Sequence, residues 1–171
     1  MPKIYEEIKQ KKPLRLPGQV AAITIFRTAD VVRHAIERSF AAFGLSHEQY
    51  NVLRILRGAG ENGLPTLEIS SRMLSRSPNI TRLLDRLIAK KLARRSRPKE
   101  DRRVVIVSIS PQGIELLSHL DKVVDNVFDS FPPTTKAEMD TLLAVLDRIR
   151  EHMAVKTAVE LSQRKSGPNR P

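Results

Sequence analysis

Three local patterns follow one another in the sequence SPNITRLLDRLIAKKLARRSRPKEDRRVVIVSISPQG, which runs from Ser77 to Gly113. The first is an amphipathic helix that opens with a serine N-cap and a proline, and its apolar side chains recur every three or four residues. The second is a pair of runs, the latter rich in β-branched residues, joined by a charged segment, which is typical of a hairpin. The third repeats the serine–proline pair and begins another helix. The centre of the chain is therefore predicted to be a helix, a hairpin and a helix.

A further helix precedes this stretch at the distance expected of a helix-turn-helix. It begins at Thr66, and Leu74 closes it. The turn Ser75–Ser77 then leads into the helix that Ser77 and Pro78 open. In such a motif the second helix enters the major groove of DNA, and its N-terminal residues meet the base edges. The sequence therefore predicts a helix-turn-helix followed directly by a β-hairpin.

Longer helices are predicted on both sides of this centre. Amphipathic spacing runs from Gln19 to Phe43 and ends at Gly44, a capping box starts the next helix at Ser46, and two more helices follow Pro111. We expect a mainly α fold with a small β-hairpin wing, that is, a winged helix-turn-helix with N- and C-terminal dimerisation helices. Its parts are a basic arm (1–18), a dimerisation helix (19–45), the DNA-binding domain (46–110), C-terminal dimerisation helices (111–162) and a flexible tail (163–171).

The dimerisation helices are inferred from apolar stripes at both ends of the chain. These stripes exceed what a compact winged helix needs, and pairing of two copies about a two-fold axis is the commonest way to bury them. The alternative is that the stripes pack only within their own subunit.

Positive charge is concentrated in the central region. The chain of 171 residues has a formal net charge of +11, and the segment from Arg72 to Arg103 holds twelve lysines and arginines against three acids. A solvated surface would scatter its charges along the chain. A block with a net charge of +9 is instead the electrostatic footprint of a polyanion, and double-stranded DNA is the polyanion that a helix-turn-helix fits.

The outer side of the recognition helix carries the candidate base contacts. Asn79 can pair with adenine, Arg82 or Arg86 with guanine, and Thr81 can touch a thymine methyl group or a phosphate. The alternative is that Arg82 and Arg86 are solvated charges around Asp85.

The charged hairpin tip is the second candidate contact. An arginine at the end of a rigid ribbon can enter a narrow minor groove, and Asp101 is expected to pair with Arg102 or Arg103 and so hold the tip in shape. The alternative is that the charges prevent pairing of exposed strand edges, which accounts for one or two charges but not for the whole block. The candidate DNA-binding residues are Ser77, Pro78, Asn79, Thr81, Arg82, Arg86, Lys99, Asp101, Arg102 and Arg103.

One glycine pattern points to a different class of protein. In RGAGENGLP (57–65), Gly58, Gly60 and Gly63 have the spacing G-x-G-x-x-G of a dinucleotide-binding loop. That loop needs a strand before the first glycine and a helix at the third, whereas here a helix precedes the glycines and a Leu-Pro dipeptide follows them. We therefore expect an interhelical loop, in which Gly58 or Gly60 caps a helix, and we expect no enzymatic activity.

The composition argues against several other sites. The absence of cysteine excludes disulfides, thiolate metal sites and thiol redox sensing. The four histidines are far apart in sequence, so no metal site is expected, and nothing points to a cofactor. No apolar run approaches the roughly 18 residues of a membrane span, and the N-terminus lacks an apolar signal core, so we expect a cytoplasmic protein without a membrane partner.

Taken together, the motifs resemble those of one known family. The run TRLLDRL, then EDRR, and then a β-branched strand ending in Ser-Pro-x-Gly are similar to the recognition helix, wing and following helix start of the multiple-antibiotic-resistance regulator (MarR) family of winged-helix repressors. The stretch LSHEQYNVLRIL resembles the family's preceding helix. The similarity covers residues 19–150, and the family's aspartate-x-arginine wing signature falls on Asp101 and Arg103.

The resemblance implies a homodimeric repressor on a pseudo-palindromic operator. It implies that recognition helices enter adjacent major grooves while wing arginines reach the minor groove. It also implies that a small aromatic or phenolic anion can act as an effector that releases DNA. Two other classes remain open on the sequence: a non-specific architectural or RNA-associated basic protein, and a protein–protein module that would leave the basic block unexplained.

Overall fold

The computed structural model describes residues 2–74, 79–98, 104–129 and 131–165, with side chains as far as residue 156. In chain order the elements are α1 (Ile4–Glu7), α2 (Pro17–Phe40), a 3-10 turn (Ala41–Phe43), α3 (His47–Ala59), β1 (Leu64–Pro65), α4 (Thr66–Arg72), α5 (Ile80–Ala89), β2 (Ala93–Ser96), β3 (Ile106–Ile109), α6 (Pro111–Asp129) and α7 (Lys136–Lys165). The chain divides into two units, Met1–Ser130 and Phe131–Pro171. The predicted class, mainly helical with a small hairpin, is confirmed.

Capping residues set several helix boundaries, as the sequence predicts. The Ser46 hydroxyl accepts a hydrogen bond from the Gln49 N–H at 3.3 Å, and the Gln49 side chain accepts one from the Ser46 N–H at 3.1 Å. Thr135 and Glu138 form the same reciprocal pair before α7. Gly44 ends the 3-10 turn after α2 with a φ of 60°, a left-handed conformation that suits glycine.

The core of the first unit lies between the C-terminal half of α2, α3, α4, α5, α6 and strand β3. The rings of Phe40 and Tyr50 pack together with centroids 4.7 Å apart, which joins α2 to α3. The largest fully buried apolar side chains are Phe40, Val52, Leu53, Leu56, Ile69, Leu84, Leu87, Val107, Leu117 and Leu120.

The small sheet is antiparallel, with strand order β1-β3-β2. Both strands of the predicted hairpin are present, and Arg95 lies opposite Val107 in their register. Strand β1 places Leu64 opposite Val107 and Pro65 opposite Ile106. The sequence does not predict β1, because two residues show no alternation and a proline, which lacks an N–H, is tolerated only at a sheet edge.

The start of α6 is tied to the turn after α5 through Ser110. Its hydroxyl donates to the Lys91 carbonyl at 2.6 Å and accepts from the Gly113 N–H at 3.0 Å, while its own N–H donates to the Leu92 carbonyl at 3.0 Å. A Cβ atom at Gly113 would lie 2.2 Å from the Leu92 carbonyl oxygen. The glycine of the Ser-Pro-x-Gly motif therefore allows the start of α6 to lie directly against the backbone of Leu92.

The turn that follows α5 contains a lysine, Lys91, in the left-handed region. Lys91 has a φ of 60°, its N–H donates to the Ile88 carbonyl at 2.9 Å, and the Leu92 N–H reaches the Leu87 carbonyl at 2.9 Å. This is a Schellman motif, whose left-handed position is usually glycine because other residues are strained there by roughly 1 kcal/mol.

Some predicted boundaries shift. Helix α2 begins at Pro17 rather than Gln19, since proline suits the first helical turn. Helix α3 continues to Ala59, and Gly60, with a φ of 68°, follows it as the capping residue. Helix α7 extends to Lys165, past the predicted end of the C-terminal helices at residue 162, because Gln, Arg and Lys favour helix. Residues 166–171 lie outside the described part.

The N-terminal arm packs against α2. Ile4 and Tyr5 are each 7% exposed, and the Tyr5 hydroxyl accepts a hydrogen bond from the Leu14 N–H at 3.1 Å. Glu7 pairs with Arg27 of α2 at 3.6 Å. Among the described residues, no helix has the length and apolar character needed to cross a bilayer.

Candidate nucleic-acid interface

The recognition helix α5 rests on the core through its predicted apolar stripe. Leu84 and Leu87 are completely buried, and Ile80, Leu83 and Ile88 are partly buried. Because these side chains occupy one side of the helix at i, i+3, i+4, i+7 and i+8, the other side faces solvent. The sequence prediction of an inward stripe and an outward polar face is confirmed.

Four of the ten candidate residues lie at the exposed side of α5 or its start. Asn79, Thr81, Arg82 and Arg86 are all exposed. Arg82 and Arg86 are four residues apart and therefore project from neighbouring turns. Neither forms an ion pair with another residue in the described ranges, so both guanidinium groups can bind an external anion.

Asp85 is not shared between those two arginines. Its carboxylate accepts from the Arg95 guanidinium at 2.8 Å, which joins α5 to strand β2. This exposed pair adds little to stability, but the Arg95 guanidinium offsets the negative charge of Asp85 beside Arg82 and Arg86. The alternative interpretation, in which the two arginines are solvated around Asp85, is thereby weakened.

Sequence reasoning missed the role of Arg95, although a signal for it exists. Side chains alternate between the two faces of a strand, so Arg95 shares a face with Ala93, which is buried. Arg94 and Ser96 occupy the opposite face, and Arg94, Arg95 and Ser96 are all exposed. The parity of the strand therefore separates two adjacent arginines: Arg95 pairs with Asp85 of α5, and Arg94 lies on the other face.

The structure divides the basic block into internal and available cations. Arg72 pairs with Glu68, Lys90 donates to the Gly44 carbonyl, and Arg95 pairs with Asp85. Five further cations are exposed and form no ion pair within the described part of the chain, namely Arg82, Arg86, Lys91, Arg94 and Arg97. The block is therefore smaller as a binding surface than the sequence count indicates.

The remaining candidates fall on residues that the structure does not describe. These are Ser77 and Pro78 before α5, and Lys99, Asp101, Arg102 and Arg103 at the hairpin tip. Their predicted roles, including the pairing of Asp101, lie outside the described residues.

A groove opens beside the core, between α2 and α6. It has a volume of about 540 Å³ and is lined by Ala35, Arg38, Ser39, Val123, Asn126 and Val127. Its walls combine apolar side chains with the Arg38 guanidinium and the polar groups of Ser39 and Asn126, and it is open to solvent.

Tyr50 connects the two helices that form this groove. Its ring packs on Phe40 of α2, and its hydroxyl donates to Asp121 of α6 at 3.1 Å. Asp121 also accepts from Arg57 at 2.5 Å. Burial is the main cause that raises the pKa of Tyr50 above its usual value, so the phenol stays protonated and can keep donating to Asp121.

Comparison with known proteins extends these findings. The family model for the transcriptional regulator SarA/Rot matches residues 35–120. The HTH-type transcriptional regulator PecS of Dickeya dadantii is 26% identical over 153 residues, covering 88% of this chain and 92% of that protein. The crystal structure of a MarR transcription factor from Planctomyces limnophilus is 33% identical, with a TM-score of 0.60, and covers 86% of this chain and 99% of its own.

One further similar structure concerns regulation by a small molecule. It describes how 6-hydroxynicotinic acid regulates DNA binding by BpsR of Bordetella bronchiseptica. That protein is 20% identical, with a TM-score of 0.68, and the match covers 81% of this chain and 98% of that one. At this identity the similarity shows a shared fold.

Proposed function

This chain belongs to the MarR family of winged-helix transcriptional regulators and is a sequence-specific DNA-binding protein, and we propose that it acts as a homodimeric repressor on a pseudo-palindromic operator. One observation carries the proposal: Arg82 and Arg86 are exposed on the outer side of α5 and have no ion pair in the described ranges, while its inner side is buried in the core. A helix held in this way can enter a major groove with its base-reading side outward. The proposed regulator has no enzymatic activity and acts in the cytoplasm, with the DNA it regulates.

Each candidate residue has a role in the proposal. Asn79 recognises adenine, Thr81 touches a thymine methyl group or a phosphate, and Arg82 and Arg86 recognise guanine, in line with the hydrogen-bonding patterns of these bases. Ser77 and Pro78, which come before Asn79, the N-cap residue of α5, are proposed as further DNA contacts. The tip residues Lys99, Asp101, Arg102 and Arg103 form the minor-groove contact of the wing.

The dimer is proposed from apolar side chains that their own unit leaves exposed. In α7, Leu142 and Leu143 are each 51% exposed within the second unit, and in α2 of the first unit Phe26 and Val31 are 74% and 56% exposed. Burial of such residues against a second copy removes apolar area from water. A two-fold dimer also presents two recognition helices to the two halves of a palindrome.

The groove between α2 and α6 is the proposed effector site. Arg38 supplies a cation for the carboxylate or phenolate of a small aromatic ligand, and Ala35 and Val123 supply apolar contact. BpsR, whose DNA binding 6-hydroxynicotinic acid regulates, gives a precedent for this ligand class on the same fold. An occupant would press on both helices that Tyr50 connects, and so change the position of α3 beneath the helix-turn-helix.

The proposed function is tested by operator binding of the full chain. The operator is obtained by selection from random duplexes, and Kd is measured for it and for a scrambled duplex by fluorescence anisotropy across salt concentrations. We expect a steep, nearly linear fall of log affinity with log salt, a clear preference for the selected sequence, and two chains per duplex. A flat salt dependence would exclude phosphate-driven binding, and equal affinities at about 0.15 M salt would favour a non-specific architectural protein.

Arg82→Ala is expected to weaken operator binding by about 5- to 150-fold, because it removes one base contact that contributes about 1–3 kcal/mol. Affinity for the scrambled duplex should change much less. Arg33→Ala in α2 is the matched control, since it removes the same charge from an arginine paired with Asp30 at 2.5 Å. Wild-type operator affinity in Arg82→Ala would contradict the assigned role of α5.

The adjacent residues Arg94 and Arg95 are expected to behave differently. Arg94→Gln should reduce the slope of log affinity against log salt by about 1, as expected when one phosphate contact is lost. Arg95→Gln should instead weaken operator binding by freeing the Asp85 carboxylate, which then repels phosphates beside α5. The double variant Arg95→Gln/Asp85→Asn should recover most of that loss, and the same salt titrations show whether it does. Identical behaviour of the two single variants would contradict the division by strand face.

A further inference from the structure

A buried asparagine joins α3 to the chain just before the helix-turn-helix turn. Asn51 of α3 is 9% exposed, and its Oδ1 atom accepts a hydrogen bond from the backbone N–H of Leu74 at 3.0 Å. The two residues are 23 positions apart, so this bond is a tertiary link rather than a local one. Leu74 is the last described residue before the segment 75–78 that leads to α5.

The backbone around Leu74 makes few other hydrogen bonds, although the Met73 side chain packs against the core. Helix α4 ends at Arg72, and Met73 is already extended, with φ −65° and ψ 140°. The Met73 N–H reaches the Ser70 carbonyl at 3.4 Å, near the limit of a hydrogen bond. Within the described ranges, the Asn51 amide is the side chain whose hydrogen bond holds this end of α4 to α3.

An asparagine at this position is unfavourable unless its hydrogen bond serves a purpose. Its neighbours Tyr50, Val52 and Leu53 are buried apolar or aromatic residues. A leucine has nearly the shape of asparagine and would not need a polar partner in the core. A satisfied buried polar group instead selects one arrangement of the backbone that it binds.

We propose that Asn51 is a positioning residue that holds the C-terminal end of α4 against α3 and thereby sets the sequence selectivity of α5. This inference rests on the proposed function. Base contacts by Asn79, Thr81 and Arg82 depend on where the turn delivers the start of α5, and such contacts fail when a side chain is displaced by about an ångström. Contacts between exposed cations and phosphates tolerate such a shift, because they act over several ångströms.

The test compares Asn51→Leu, which removes the acceptor at nearly constant shape, with Asn51→Asp, which retains an acceptor oxygen. Hydrogen exchange of the Leu74 amide is measured in the full-length protein without DNA. We expect exchange to accelerate by about three- to tenfold in Asn51→Leu, the factor for loss of one typical hydrogen bond, and to return toward the wild-type rate in Asn51→Asp. An unchanged Leu74 rate in Asn51→Leu would overturn the proposal.

A second arm measures selectivity. The ratio of scrambled-duplex Kd to operator Kd should fall by about tenfold in Asn51→Leu and recover in Asn51→Asp, while the Kd for the scrambled duplex stays near the wild-type value. An equal loss on both duplexes would assign Asn51 to general stability and overturn the proposal. If Asn51→Leu fails to fold, Asn51→Ala is compared by the same two measurements. A wild-type protein without operator preference would refute the proposed function, and the exchange measurement would still decide whether Asn51 holds Leu74 at the end of α4.

Discussion

Gly113→Ala is expected to destabilise the winged helix by roughly 3 kcal/mol or more, because the added methyl group has no space. Its Cβ would lie 2.2 Å from the Leu92 carbonyl oxygen and 2.9 Å from a side-chain carbon of Ile109. The nearer of these two atoms belongs to the backbone. The Leu92 carbonyl also accepts a hydrogen bond from the Ser110 N–H, so it cannot move away without loss of that bond. Urea denaturation followed by circular dichroism measures the free energy of unfolding.

The control for this variant is Gly58→Ala. Gly58 lies inside α3, and a Cβ atom there would meet nothing within 4 Å. Since alanine is favoured over glycine inside a helix, Gly58→Ala is expected to stabilise the protein by about 0.5–1 kcal/mol. If both variants had the same stability, the close approach at Gly113 would not be a constraint on the fold.

Leu84→Ala is expected to reduce the free energy of unfolding by about 2–5 kcal/mol, because it leaves a cavity under the recognition helix. Leu84 is completely buried among the residues on which α5 rests. At temperatures where the variant stays folded, operator affinity should also fall, since the position of α5 depends on this packing. Thermal and urea denaturation, followed by operator titration of the folded fraction, measure the two effects.

Leu67→Ala is the matched control for that loss. Leu67 belongs to α4 of the same helix-turn-helix but is 86% exposed, so removing its side chain should change stability by about 0.5 kcal/mol at most. A loss as large as that of Leu84→Ala would show that burial does not distinguish the two leucines.

Local signals in the sequence predicted most of the helical framework. The Ser46 capping box, the glycine after the first long helix and the apolar stripe of α5 all act within a few residues, and each appears in the structure as expected. Short-range chemistry also predicted the hairpin, because β-branched residues favour strands. The last helix runs three residues past its predicted end, because the sequence has no glycine or proline to stop a helix before Gly167.

Features that depend on tertiary contact could not be predicted in the same way. The pairing of Asp85 with Arg95 links residues ten positions apart on two different elements, and the contact of Asn51 with Leu74 spans 23 positions. Strand β1 exists only because β3 lies beside it. This affects the size of the candidate interface. In the sequence all cations of the basic block look equally available, whereas in the structure Arg72, Lys90 and Arg95 bind partners within the chain.

The left-handed backbone at Lys91 affects which residue is favoured there in protein engineering and in evolution. A glycine there would relieve strain at the end of α5 and raise thermal resistance, but it would also delete an exposed cation beside the candidate DNA-binding surface. Selection for heat tolerance therefore favours glycine at residue 91, and selection for nucleic-acid affinity favours lysine. A library screened for survival at high temperature alone should enrich glycine at this site, and one screened for promoter occupancy should retain lysine.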